Sequence, residues 1–137
     1  MKLCVIGTGY VGLVSGACFS DLGNSVICVD NNIDKINNLK KGIIPIYEPG
    51  LDEMVKKNYK SGKLKFTSNL KESILKSDVI FICVGTPTKK KGNAADLTQI
   101  YKIAKEISKY AKKFKIIVVK STVPVTTGDK IEKIISK

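Results

Sequence analysis

Four short, mostly apolar runs recur along the chain, separated by longer segments in which apolar residues stand at helical spacing. The runs predict strands at residues 3–6, 26–29, 78–85 and 116–119, and residues 64–66 give a weaker strand signal. Strands that alternate with helices and are apolar throughout are typical of a parallel sheet covered on both faces. The pattern therefore predicts a single doubly wound α/β domain of the Rossmann type over residues 1–137, with strand order 3-2-1-4-5.

Two of the predicted helices have an apolar stripe. In the first helix the stripe consists of Val11, Val14, Cys18 and Leu22. In the helix before the last strand it consists of Leu97, Ile100, Ala104, Ile107, Ala111 and Phe114. A helix capped by Ser68 or Asn69, a polar loop at 89–93 and a last helix that runs to the end of the chain are also predicted.

Gly7, Gly9 and Gly12 directly follow the first strand and open the first helix. In such a turn the first glycine permits the sharp bend and the second lets the backbone approach a pyrophosphate. The third allows close packing of helix on strand. The helix N-terminus then offers unpaired N–H groups to phosphates. The alternative is a plain tight turn between strand and helix, and the context favours a dinucleotide site.

Asp30 ends the second strand about 20 residues after the glycines, where an acid accepts hydrogen bonds from the adenosine ribose of a dinucleotide. Because a carboxylate there would repel a 2′-phosphate, NAD is the predicted cofactor. The alternative is that Asp30 caps the following helix. Lys35 could reach the same ribose, although by itself it is one surface lysine among many.

Hydroxyl-bearing segments follow the fourth and fifth strands. Gly85, Thr86 and Pro87 stand at the end of one strand, and Ser121 and Thr122 at the end of the other. Since ligands of open α/β sheets bind outside the carboxyl ends of the strands, both segments are placed to line a cofactor crevice. Ordinary capping of strand ends explains these residues equally well.

The chain is basic, with a net charge of +12, and its 24 cationic side chains are all lysine. Base readout and bidentate phosphate binding favour arginine, so no nucleic-acid partner is predicted. The chain contains no histidine, and its four cysteines lack metal-binding spacing, so no metal site is predicted. Cys4, Cys28 and Cys83 lie in apolar runs and are interpreted as core residues. No apolar run reaches membrane-spanning length, and the cytoplasm is the predicted location.

Several motifs occur together in a fixed order: GTGYVG at 7–12, Asp30, PIYEPGL at 45–51, VGTPT at 84–88 and KSTVPV at 120–125. In these motifs the chain closely resembles the N-terminal domain of the UDP-glucose/GDP-mannose dehydrogenase family. PIYEPGL and KSTVPV are more similar to the UDP-glucose branch than to the GDP-mannose branch. Members of this family oxidise the C6 alcohol of a nucleotide sugar to an acid with two NAD, and the second stage passes through a covalent cysteine adduct.

The resemblance assigns roles residue by residue. It implies that Gly7, Gly9, Val11 and Gly12 contact the pyrophosphate, and that Tyr10 of the same turn belongs to the cofactor site. It implies that Asp30 and Lys35 hold the adenosine ribose and that the segment of Gly85, Thr86 and Pro87 lies along the cofactor. Thr122, next to Ser121, is expected to meet NAD and to help position a catalytic water. Glu48 and Leu51 are expected to be structural.

The chain also departs from the family pattern. Residues 125–128 read as a reordering of the family's glycine and threonines, so the start of the last helix is expected to shift, and the loop at 89–93 is unusually basic. The family's catalytic cysteine, central helix and C-terminal nucleotide-sugar domain belong to later segments that are absent from these residues. We therefore expect weak NAD binding, no turnover and UDP-glucose binding only together with the C-terminal part.

The last strand, at residues 116–119, is expected to form an exposed sheet edge through which the chain self-associates. The remaining functional alternatives are the cofactor domain of a GDP-mannose or UDP-N-acetylmannosamine dehydrogenase and a 3-hydroxyacid-type dehydrogenase, against which PIYEPGL argues. A non-catalytic module that binds NAD or acts through its basic charge also stays open.

Overall fold

A computed structural model describes residues 1–89 and 94–136. Within these residues the chain forms five strands and six helices. The strands are β1 (Lys2–Ile6), β2 (Ser25–Val29), β3 (Leu64–Thr67), β4 (Val79–Ile82) and β5 (Ile116–Val119). The helices are α1 (Tyr10–Asp21), α2 (Ile33–Lys40), α3 (Leu51–Lys60), α4 (Leu70–Lys76), α5 (Thr98–Tyr110) and α6 (Thr127–Ile135). The basic loop at 89–93 falls, apart from Lys89, outside the described residues.

The strands of the described chain form one parallel sheet in the order β3-β2-β1-β4-β5, which confirms the predicted topology. Val5 of β1 pairs with Cys28 of β2 on one side and with Phe81 of β4 on the other. Strands β1, β2 and β3 follow one another in one direction across the sheet. The chain then returns and adds β4 and β5 on the other side of β1, so the direction reverses between the neighbouring strands β1 and β4. Such a reversal opens a crevice at the carboxyl ends of the strands.

Helices cover both faces of the sheet, as the mostly apolar strands predict. Leu3 and Val5 of β1 point to the layer formed by α1, α2 and α3. Cys4 and Ile6 point to the layer formed by α4, α5 and α6. Successive residues of a strand face opposite sides, so β1 contributes to both halves of the core. The interpretation of Cys4, Cys28 and Cys83 as core residues is confirmed by their burial.

The predicted buried stripe of α1 is wrong, although the helix itself is present. Val11 is 46% exposed and Leu22 is 78% exposed. The buried face instead carries mostly small residues, namely Gly12, Leu13, Gly16, Ala17 and Ser20. A Cβ atom on Gly16 would lie 2.4 Å from Cys28 Sγ. Small side chains therefore occupy this face, because they allow the helix axis to approach the sheet closely.

The predicted stripe of α5 extends past the end of the helix by two residues, Ala111 and Phe114. The helix ends at Tyr110, Ala111 has extended backbone, and Phe114 lies beyond the helix and is 90% exposed. Ile103, which the stripe omitted, is buried instead. The strand predicted at 116–119 is present but only partly buried, because β5 lies at the edge of the described sheet.

Local capping follows the sequence closely. Of the two predicted caps of α4, Asn69 is the one used, and its Oδ1 accepts a hydrogen bond from the Glu72 backbone N–H at 3.1 Å. Helix α6 starts at Thr127, and the preceding Thr126 has a positive φ of 75°. None of the helices in the described part of the chain is both long enough and apolar enough to cross a membrane.

Candidate functional site

The glycine turn between β1 and α1 is closely packed against its own backbone. Gly7 has a φ of +99°, and its N–H donates to the Val29 carbonyl at 2.7 Å. A Cβ atom on Gly12 would lie 1.8 Å from the Gly7 carbonyl oxygen. The first and third glycines are therefore required by the fold itself, through positive φ and helix contact respectively.

Gly9 differs from the other two glycines because it faces open space. Among the described residues, no atom lies within 4 Å of the position that a Cβ on Gly9 would take. Gly9 is the N-cap of α1, and its carbonyl accepts the N–H of Leu13 at 2.9 Å. The backbone N–H groups at positions 10–12 precede this first helical hydrogen bond, so they are available to an anion at the positive end of the helix dipole.

Asp30 stands at the carboxyl end of β2 and has an 11% exposed side chain. Its Oδ2 accepts three donors, which are Thr8 N at 2.9 Å, Thr8 Oγ1 at 2.7 Å and Lys35 Nζ at 3.3 Å. Its Oδ1 accepts the backbone N–H of Asn32 at 3.0 Å. Oδ2 is thus saturated, whereas Oδ1 retains the capacity for a further donor.

The charge of Asp30 is stabilised by its surroundings. Partial burial alone would raise the pKa of the carboxyl. The hydrogen bonds from Thr8 and Asn32, together with the positive charge of Lys35, outweigh burial and hold the pKa below its ordinary value. Asp30 is therefore a carboxylate at neutral pH. The predicted alternative cap role is taken by Asn32, whose side chain accepts the Lys35 backbone N–H at the start of α2.

A cleft of about 580 Å³ opens at the carboxyl ends of β1, β2 and β4. Five sequence-predicted residues line it, which are Gly7, Gly9, Asp30, Lys35 and Gly85. Its size lies in the range of roughly 300–1,000 Å³ that small-molecule and cofactor sites occupy. The other predicted residues do not line the cleft as described. They are Tyr10, Val11, Gly12, Thr86, Pro87, Ser121 and Thr122.

The hydroxyl-bearing residues after β4 and β5 form a second group. Thr86 Oγ1 donates to the Thr122 carbonyl at 3.0 Å, and Ser121 Oγ donates to the Val84 carbonyl at 2.7 Å. These hydrogen bonds join the two strand ends side by side. Val84 and Gly85 line the cleft, so the second group is continuous with it.

Tyr10 points to the segment that carries the PIYEPGL motif. Its hydroxyl donates to the Glu48 carboxylate and lies 3.3 Å from the Tyr47 carbonyl oxygen. The hydrogen bond to Glu48 raises the pKa of the Tyr10 hydroxyl. Leu51 of the same motif is buried in the core. The motif thus attaches to the start of α1 by a polar contact and to the core by an apolar one.

Sequence reasoning missed the wall of the cleft opposite the glycine turn. This wall comes from α4 and α5 and consists of Leu70, Thr98, Gln99, Lys102, Ile103 and Glu106. Positions 99, 102, 103 and 106 share one face of a helix, and the predicted topology already places this helix beside the crevice. The helical spacing of these four positions, combined with the predicted topology, was the signal that could have identified them.

Comparisons with known proteins agree with this architecture. The model of the UDP-glucose/GDP-mannose dehydrogenase family, NAD binding domain, matches residues 1–137. The chain belongs to the UDP-glucose/GDP-mannose dehydrogenase family. It is 54% identical to UDP-glucose 6-dehydrogenase of Rhizobium meliloti over 135 residues, which are 98% of this chain and 31% of that protein. It is 52% identical to a UDP-glucose 6-dehydrogenase of Bacillus subtilis, covering 99% of this chain and 29% of that protein.

Solved structures of the family superpose on the whole chain. The GDP-mannose dehydrogenase of Pseudomonas aeruginosa, solved as a ternary complex, matches with a TM-score of 0.91 and 38% identity, over 100% of this chain and 33% of that one. A UDP-glucose dehydrogenase of Pyrobaculum islandicum matches with a TM-score of 0.91 and 35% identity, over 98% and 32%. The chain therefore spans about one third of the length of the family members it matches.

The site fits the NAD of the UDP-glucose/GDP-mannose dehydrogenase family. The open backbone at Gly9 offers a cradle that a Cβ would fill, and the free α1 N-terminus suits a pyrophosphate. The spare acceptor on Asp30 suits a sugar hydroxyl. NAD is thus the cofactor of this domain.

Proposed function

We propose that NAD lies in the cleft with its pyrophosphate on the N–H groups at the start of α1 and its adenosine ribose on Asp30. The observation that carries this proposal is the carboxylate of Asp30, which is fixed through Oδ2 and still able to accept a hydroxyl at Oδ1. Lys35, whose ammonium lies 3.3 Å from Oδ2, supplies a hydrogen-bond donor beside the same ribose. Leu70 and Ile103 provide apolar contact for the adenine.

The carboxylate also explains selectivity for NAD over NADP. A 2′-phosphate would bring a second negative charge against Asp30, and Lys35 already donates to that carboxylate. In a partly desolvated cleft such a like-charge contact is costly. The chain is therefore a binder of NAD and not of NADP.

Bound in this cleft, NAD would supply the hydride acceptor for oxidation of the substrate alcohol. Thr86 and Thr122, joined by their hydrogen bond, lie along the path from the cleft toward the end of β5. We assign Thr122 to contact with the cofactor and to orientation of a water, and Thr86 with Gly85, Pro87 and Ser121 to support of the cofactor. Tyr10, Val11 and Gly12 contribute backbone at the pyrophosphate.

We infer that the substrate of the whole protein is UDP-glucose, oxidised at C6 to UDP-glucuronate. This proposal rests on the identity of 54% and 52% to two relatives that are UDP-glucose 6-dehydrogenases. We assign the sugar-binding domain, the central helix and the nucleophilic cysteine to the part of the relatives that residues 1–137 do not span. Alone, these residues form one cofactor domain that binds NAD without turning over UDP-glucose. We place this chemistry in the cytoplasm, where NAD and nucleotide sugars are available.

Titration calorimetry with NAD and NADP tests the cofactor site directly. Gly9→Ala is expected to weaken NAD binding at least about tenfold, because the methyl group occupies the approach of the pyrophosphate, while the folded stability stays unchanged. Gly128→Ala is the matched control, since its Cβ also meets open space among the described residues but lies on α6. Equal NAD affinity in the two variants, or stronger binding of NADP than NAD, would contradict the proposed site.

Two further measurements separate the remaining functions. Incubation of the chain with UDP-glucose and NAD is expected to produce no NADH, and steady NADH formation would show that these residues suffice for turnover. Thermal shift assays with DNA at two salt concentrations are expected to show no stabilisation. A salt-sensitive shift with DNA and none with NAD would favour the basic binding module.

We also propose self-association of the chain through β5. Ile116 is 51% exposed and the outer edge of β5 is unpaired within the described sheet. An apolar edge strand is a template for pairing with a second copy. Sedimentation is expected to show dimers that Ile116→Lys disrupts, whereas a wild-type chain that stays monomeric at high concentration would disprove this association.

A further inference from the structure

Thr8, the residue between the first two glycines, makes an unusual pair of contacts. It is fully buried, and both its backbone N–H and its hydroxyl donate to the same oxygen, Oδ2 of Asp30, at 2.9 and 2.7 Å. A buried residue in a tight turn needs no hydroxyl to fill space. The hydroxyl therefore has a specific partner, the carboxylate on the neighbouring strand.

This double contact decides which carboxylate oxygen is left for a ligand. With two donors from Thr8 and one from Lys35, Oδ2 has no remaining acceptor capacity. Oδ1 has a single donor, the Asn32 backbone N–H at 3.0 Å. Rotation of the Asp30 side chain would break both Thr8 contacts at once, so Thr8 fixes the orientation of the carboxylate.

The same contact couples two parts of the site. Thr8 belongs to the glycine turn, whereas Asp30 belongs to the end of β2. The Gly7 N–H also reaches across to the Val29 carbonyl at 2.7 Å. The turn and the ribose-facing carboxylate are thus held in one rigid unit before any cofactor arrives, which lowers the ordering cost of binding.

We propose that Thr8 is a positioning residue for the adenosine ribose, acting through its hydroxyl on the Asp30 carboxylate. This inference rests on the proposed function of Asp30. It does not require contact between Thr8 and the cofactor. According to this inference, the Thr8 hydroxyl contributes to the preference for a cofactor with ribose hydroxyls, in addition to the packing of the turn.

The test compares the affinity of NAD with that of an NAD analogue whose adenosine ribose lacks both hydroxyls. Thr8→Val keeps the shape and the backbone N–H but removes the hydroxyl, and Thr8→Ser restores it. We expect Thr8→Val to reduce the preference for NAD over the analogue about tenfold, and Thr8→Ser to keep it within about twofold of wild type. Equal weakening of both ligands in Thr8→Val, or no change, would refute the positioning role.

Asp30→Ala separates this inference from the proposed function. If Asp30→Ala leaves the preference for NAD over the analogue intact, the ribose role of Asp30 fails and the inference fails with it. If Asp30→Ala abolishes the preference but Thr8→Val does not, only the role of Thr8 fails. In an Asp30→Ala background, Thr8→Val is expected to cause no further loss of preference. Should Thr8→Val fold poorly, Thr8→Ala with thermal unfolding as a check provides the same comparison.

Discussion

Thr126 is a β-branched residue held in the left-handed region, with a φ of 75° and a ψ of −7°. Left-handed backbone costs an L-residue about 1–2 kcal/mol, and β-branched side chains tolerate it least. The Thr126 side chain is exposed, and the cap of α6 uses no hydrogen bond from it within the described residues. Replacing it therefore removes strain without removing a contact.

The expected gain follows from two opposing contributions. Thr126→Gly relieves the left-handed strain but adds about 0.5–1 kcal/mol of backbone entropy to the unfolded chain. The net stabilisation is about 0.5–1 kcal/mol. For a domain of this length that amounts to about 2–4 °C in the unfolding temperature. Asn, which tolerates this region, is expected to give a smaller gain at the same position.

Urea unfolding followed by circular dichroism, with a common m value, measures the difference. Thr126→Ala is the decisive control, because it removes the branched side chain but keeps a Cβ in the left-handed region. We expect the order of stability to be Gly, then Asn, then Ala, with Thr the least stable and Ala nearer to Thr than to Gly. If Thr126→Ala stabilises as much as Thr126→Gly, the side chain and not the backbone is responsible, and the reasoning from φ is refuted.

Three further predictions concern the site and the core. Gly12→Ala is expected to destabilise the fold by about 2 kcal/mol or more, because the new Cβ would meet the Gly7 carbonyl oxygen; urea unfolding measures the loss. Asp30 stabilises the fold fully above its ordinary pKa of 3.8, and this contribution is lost as the pH falls through the lower folded pKa, so Asp30→Asn is expected to flatten the acid limb of stability against pH. Cys18 is exposed and is expected to react quickly with a thiol reagent. The buried thiols, Cys4, Cys28 and Cys83, are expected to react only after unfolding.

Each of these three predictions has an experimental outcome that would contradict it. A Gly12→Ala chain as stable as Gly9→Ala would show that the helix can move away from the turn. An unchanged acid limb in Asp30→Asn would mean that the carboxylate is equally stabilised in the unfolded chain. Burial raises the pKa of Cys4 to about 12 and that of Cys83 to about 11. Rapid labelling of more than one thiol in the folded chain would therefore indicate local opening.

The strand order could be predicted because most of the strands appear in the sequence as continuous apolar runs, as is typical of parallel strands in a covered sheet. Sequence reasoning failed on α1, where apolar periodicity pointed to Val11 and Leu22 while the sheet selected small residues such as Gly16. Hydrophobicity reports affinity for a core but not the distance at which a helix packs. Phe114 was misplaced for a related reason, since an apolar residue can continue a helical spacing after the helix has ended.

The residues of the site also differ in how well the sequence predicted them. Gly7, Gly9 and Asp30 could be named from the sequence because each lies at a strand end, where topology fixes its position. Spacing alone did not identify Lys102 and Ile103, because they reach the cleft through the packing of α5 and follow only when the helical spacing is combined with the topology. The donor pairing between Thr8 and Asp30 depends on atomic positions across two strands and required coordinates.

The contact between the Gly12 position and the Gly7 carbonyl has a consequence for how such a domain can diverge. The atoms that close the turn are the atoms that hold the first helix on the sheet. Mutations there change folding before they change affinity, so selection can scarcely use them to adjust the cofactor. Gln99 and Lys102 of the α5 wall are exposed, and they neither close the turn nor hold the first helix on the sheet. Evolutionary adjustment of NAD affinity in this lineage is therefore expected to accumulate on α5, across the cleft from an almost immutable turn.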